Sequence, residues 1–130
     1  ATGEKSKNAV REALPEFNRK NSENASAYIV TTVVLNRSGF DKDGTAVTEI
    51  GNGWAYYDLG LNNMALLLKA TELGISTLVM GIRDGEKLRK EFDIPETEAV
   101  VSVIAVGYTD SEIVRPKRKS LEDFAKFYEE

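Results

Sequence analysis

Residues 54–80 read WAYYDLGLNNMALLLKATELGISTLVM. The first twenty of these carry the longest helical pattern in the chain. Tyr57, Leu61, Met64 and Leu68 recur along one face, and Leu59, Leu66, Ala70 and Leu73 along another, at α-helical spacing. Only a narrow polar strip remains, containing Asp58, Asn62, Lys69 and Glu72. A helix that is apolar nearly all round must be covered nearly all round. One small sheet cannot do that, so a second subunit is expected against this helix. Gly74 supplies the stop, and Ile75 to Met80 then reads as a short buried strand closed by Gly81.

Working outward toward the carboxy terminus, Asp84 is placed to cap a helix running to Phe92, and Ile94-Pro95-Glu96 makes a turn. Ala99 to Val106 is an unbroken apolar run apart from Ser102, the pattern of a strand covered on both faces. After the basic run Arg115-Pro116-Lys117-Arg118-Lys119, Ser120 is expected to cap a last helix, with Asp123 at the capping-box position.

Toward the amino terminus, residues 28–35 are β-branched and almost uniformly apolar, a second such strand. Ser38 to Gly53 holds four glycines and a turn at Asp41-Lys42-Asp43-Gly44, and reads as a loop. Asp41 and Asp43 resemble the start of a calcium loop, but Asn52 stands where Glu is needed, so a plain turn is expected. Residues 4–20 carry one helical face that Pro15 should interrupt near Leu14. Three strands and about four helices in this order give an α+β or α/β domain.

Composition narrows the chemistry. The chain has 130 residues, the size of one domain with a real core. It contains no cysteine and no histidine, which excludes thiol nucleophiles, disulfides, Cys/His metal sites and imidazole bases. An enzyme built from it must use carboxylates, lysines, tyrosines or a cofactor with chemistry of its own. The net charge of −4 disfavours a nucleic-acid partner. No run of eighteen apolar residues or secretory leader is visible, so a cytoplasmic protein without a membrane partner is expected. The pair Gly81 and Gly85 between strand and helix is an ordinary turn before it is a dinucleotide loop, since Gly-x-Gly-x-x-Gly is missing.

Taken together, these segments resemble the nitroreductase family. The resemblance is carried by Asp58-Leu59-Gly60, then Asn62 to Ala70, then Leu73-Gly74-Ile75, followed by Val79-Met80-Gly81 and Phe92-Asp93-Ile94-Pro95-Glu96. Val103 to Tyr108 and Lys117 to Glu122 complete the order. Each motif alone is common; their order and spacing over residues 54–123 are specific.

The resemblance implies an α+β nitroreductase-like sandwich, a central, mostly antiparallel sheet flanked by helices. It further implies a homodimer that binds FMN, with NADH or NADPH as reductant and a small-molecule electron acceptor such as a nitroaromatic or quinone. By that resemblance Val79, Met80, Gly81 and Ile82 face the flavin ring, and Arg118, with Lys117 second, grips its phosphate. Phe40 and Trp54 are the candidates to line the substrate pocket, with core or interface as the alternative for such lone aromatics. No side chain is assigned as catalytic, because the flavin performs the chemistry, and no metal is expected. The family's Arg/Ser-rich phosphate motif and its Gln/Asn-Pro-Trp-like motif are not found here. The chain is therefore expected to be the carboxy-terminal portion of a single domain with about half of the usual cofactor contacts. A non-catalytic dimer of the same fold is the alternative, and an unrelated nucleotide-binding module the more distant one.

Overall fold

The structure, a computed structural model, describes residues 1–112 and 114–128. Its elements are α1 (Glu4–Glu12), α2 (Glu16–Asn21), β1 (Ala27–Val34), α3 (Gly53–Glu72), β2 (Ser76–Met80), α4 (Gly85–Glu91) and β3 (Glu98–Gly107). A short 3-10 turn, Leu121–Asp123, follows. The three strands form one sheet in the order β1-β3-β2, and both pairings are antiparallel. This is the α+β architecture expected from the sequence.

Pro15 divides the first helical segment as anticipated, standing in extended conformation ahead of α2. Its fixed φ and missing N–H suit the start of a helix and not its interior. At the far end of α3, Gly74 adopts φ +71°, a conformation open to glycine, and the chain reverses into β2.

The core is built on one face of the sheet. Val10, Ala13 and Leu14 from the α1 corner and Leu88 from α4 meet Tyr28, Met80, Val100, Val103 and Ala105. The appearance of Val100 beside Val103 breaks the alternation of a regular strand. The cause is a bulge: Thr31 pairs with Ser102 but Thr32 pairs with Val100, so Val101 is an extra residue. The extra residue flips the pleat and returns Val100 to the α1/α4 side. On the other face, Thr31 and Ser102 are both buried and bond through their hydroxyls at 2.8 Å.

α3 packs against β1 and β2. Its inward residues are Ala55, Leu59, Leu66 and Ala70, which are buried or half-buried, while Tyr57, Leu61, Met64 and Leu68 stand 54–63% exposed. Of the two apolar faces read from the sequence, one thus lies outward, and the other turns inward at Leu59, Leu66 and Ala70 but not at Leu73, which is 59% exposed.

Two expectations need correction. β2 is not a buried strand: Leu78 and Val79 are 39% and 47% exposed. It lies at the sheet edge, with β3 as its one strand neighbour among the described residues, so little covers its outer side. The segment after Ser120 forms a single 3-10 turn and not a helix. Its capping box forms, with the Ser120 N–H donating to Asp123 at 3.0 Å. The following Phe124 and Phe127 stay 68% and 72% exposed, so no packing offsets the cost of nucleating a longer helix. Among the described residues no helix is long and apolar enough to cross a membrane.

Candidate functional site

The turn that follows β2 is held from three directions. The Asp84 N–H donates to the Ala13 carbonyl at 2.7 Å, fastening the turn to the α1–α2 corner. The Asn18 side chain, from α2, donates to the Ile82 carbonyl at 3.0 Å. The Arg83 guanidinium reaches inward and donates through Nη2 to the Val100 carbonyl on β3. Beyond the turn, Asp84 caps α4 by accepting from the Lys87 N–H at 3.0 Å, and Lys87 pairs with Glu12 of α1 at 3.0 Å.

Within this frame Met80 is 2% exposed and anchors the strand end in the core, whereas Ile82 is 75% exposed. The backbone N–H groups of Ile82 and Arg83 have no hydrogen-bond acceptor among the described residues. Nothing lies within 4 Å of where a Cβ on Gly81 would stand, so its backbone is open to close approach. Gly81 to Arg83 therefore form a backbone edge, anchored on both sides, with two unused donors.

The remaining predicted site residues lie elsewhere in the fold. Lys117 and Arg118 are exposed and have no hydrogen-bond or ion-pair partner among the described residues. In the same tail, a bond from its own backbone N–H holds the Glu122 carboxyl below the ordinary carboxylate range. Phe40 and Trp54 occupy the corner between β1 and α3. Trp54 donates through Nε1 to Thr48 at 2.8 Å and meets Tyr57 edge-on at 6.0 Å, while Phe40 bridges to Ala46. Gly39, at φ +80°, is required there: a Cβ would lie 2.5 Å from the Trp54 ring. The turn at Asp41–Gly44 is a plain one, with the Thr45 N–H bonded to Asp43 at 2.9 Å. That bond holds the Asp43 carboxyl below its usual range.

Two cavities open beside the sheet. One of about 1050 Å³ sits at the start of β2 and the end of β3, lined by residues including Lys20, Ser22, Gly74, Thr77 and Tyr108. The other, about 380 Å³, lies between β1 and α3 and includes Arg37, Ser38 and Asp58, with the Ser38 hydroxyl bonded to Asp58 at 2.6 Å. Neither is lined by any of the eight residues expected from the sequence. The sequence reading also missed Asn18 and Arg83. Asn18 meets its acceptor across 64 positions of chain, a contact for which no local signal exists.

A family model for the nitroreductase family matches residues 2–108, a span that includes the turn, both of its flanking elements and the whole sheet. The chain belongs to the nitroreductase family. Solved structures agree on the fold of this nitroreductase-family chain. A nitroreductase family protein from Clostridium difficile superposes with a TM-score of 0.73 at 19% identity, over 98% of this chain and 70% of that one. A candidate NAD(P)H:FMN oxidoreductase from Staphylococcus epidermidis gives 0.81 at 17% identity, over 98% and 73%. A structure described as an oxidoreductase containing FMN gives 0.64 at 24% identity, over 95% and 65%. No curated protein sequence matches the chain.

Proposed function

We propose that this nitroreductase-family chain is an FMN-dependent NAD(P)H oxidoreductase acting on a small acceptor such as a nitroaromatic or a quinone. The observation that carries this reading is the family match, which spans the Gly81–Arg83 edge where two backbone donors are free. A flavin, when bound, supplies two-electron transfer between a nicotinamide and an acceptor, chemistry that a chain without histidine or cysteine does not otherwise possess. The chain's own part is to bind and orient. The Ile82 and Arg83 amides are donors suited to the electron-rich edge of such a ring, and Gly81 allows close backbone approach. Arg118, with Lys117 beside it, is suited to a phosphate, since a guanidinium can grip two oxygens at once. Phe40 and Trp54 are the aromatic candidates for a wall of the acceptor pocket.

The same reading includes a homodimer joined through α3. Four large apolar side chains on one helical face, Tyr57, Leu61, Met64 and Leu68, are each more than half exposed. A contiguous apolar patch of this kind marks an interaction surface, and a two-fold interface would cover it with its own copy. Sedimentation at micromolar concentration is expected to give a dimer, and a stable monomer would remove this part of the proposal.

One observation favours the alternative of a non-catalytic relative with a partial flavin site. Ile82, Lys117 and Arg118 are all exposed, and none lines either of the two cavities described above. The two readings separate in one experiment: purified protein is mixed with excess FMN, and NADH or NADPH oxidation is followed with a nitroaromatic acceptor. Turnover that depends on both FMN and protein supports the oxidoreductase. FMN binding without turnover supports the alternative.

A further inference from the structure

The peptide bonds of the turn are trans, so the Ile82 carbonyl and the Arg83 N–H point in opposite directions. The Asn18 side chain takes that carbonyl at 3.0 Å from the α2 side. The Arg83 N–H is thereby aimed away from α2, and it meets no acceptor among the described residues. One residue on, the Asp84 N–H is fixed on Ala13, so the donor between these two anchors cannot swing freely. A donor held in advance needs no reorganisation when it meets negative charge.

The Arg83 side chain adds a second, independent observation. Its Nη2 bonds to the neutral Val100 carbonyl, and its Nε is buried with no hydrogen-bond partner among the described residues. None of the ion pairs among the described residues includes it. A guanidinium is a permanent cation, and one drawn inward without a counter-charge is costly to bury. It therefore favours any negative charge that comes to lie against its own turn. At the effective dielectric of a protein, a unit charge several ångströms away suffices to change an equilibrium about tenfold.

We propose that Asn18 and Arg83 are positioning residues that make the turn after β2 prefer a reduced, negatively charged flavin ring over the oxidised, neutral one. Asn18 acts by aiming the Arg83 amide, and the Arg83 side chain acts by leaving its charge uncompensated. The inference rests on the flavin reading above and goes beyond it by naming what sets the redox balance.

The test titrates the full chain with oxidised FMN and, anaerobically, with dithionite-reduced FMN, and reads the ratio of the two dissociation constants. Arg83→Gln should reduce the preference for the reduced form about tenfold, equivalent to about 30 mV for a two-electron couple. Arg83→Lys, which restores a cation, should keep most of it. Asn18→Leu, which removes the donor at similar size, should shift the ratio in the same direction as Arg83→Gln. A merely structural role would weaken both forms alike and leave the ratio unmoved. A ratio within twofold of the parent value in folded Arg83→Gln and Asn18→Leu proteins overturns the proposal and leaves the flavin reading standing. A parent chain that binds neither form overturns both. Should Arg83→Gln fail to fold, the Asn18→Leu and Arg83→Lys ratios decide.

Discussion

β3 and β2 are both written in mainly apolar residues, AVVSVIAV within one and STLVM in the other, yet the fold treats them differently. β3 is the central strand, bonded on both sides, and Val103 and Ile104 are wholly buried. β2 is bonded on one side, and of its five residues only Met80 is buried. A run of apolar side chains thus signals a strand, but its burial depends on what packs over it: β1 is also bonded on one side, yet of its eight residues only Val34 is exposed. The central strand holds the molecule together. The edge strand delivers a backbone turn to the surface, where unused donors can meet a ligand.

The largest effect should fall on the central strand. Ile104→Ala is expected to cost about 2–5 kcal/mol in denaturant unfolding, the range for truncating a fully buried aliphatic side chain. A loss below about 1 kcal/mol would mean that β3 is not the close-packed centre described here. A somewhat smaller effect concerns the ligand at the open end. Arg118→Ala should remove a charged hydrogen bond worth about 1.5–3 kcal/mol, and so weaken FMN binding roughly ten- to a hundredfold while leaving the melting temperature unchanged. An unchanged dissociation constant would return the basic run to a solvated surface segment. The smallest effect belongs to the edge strand. Val79→Thr should alter stability by no more than about 0.5 kcal/mol, as for an exposed site. A large loss there would show that β2 is covered in solution, and a partner subunit would be the first candidate.

Much of this was legible in the sequence. The strand residues, the helix 54–73, the Pro15 break, the Gly74 reversal and the Asp84 cap all follow from local rules, because each depends on neighbours within a turn or two of chain. The nitroreductase family was also legible, from the order and spacing of its motifs. What escaped the reading was non-local. Nothing in the run from Ser76 to Met80 announces an edge position, and the bulge at Val101 appears only when β1 and β3 are paired. Asn18 is an ordinary polar helical residue until it meets Ile82. The Ser120 capping box was correctly located, yet a cap starts a helix without guaranteeing that packing continues it. Of the residues expected at a site, Val79, Gly81 and Ile82 are exposed while Met80 is buried in the core, and neither of the two cavities described gathers them with Phe40, Trp54 or the basic run.

The central claim is that the turn after β2, and not the larger cavity at the other end of the strand, is where a flavin meets this chain. Amide chemical-shift mapping during an FMN titration tests this directly. The account predicts the largest shifts at Gly81, Ile82 and Arg83, with little change from Gly74 to Thr77 or at Tyr108 and Thr109. Shifts concentrated at that opposite end, with residues 81–83 unmoved, would contradict it.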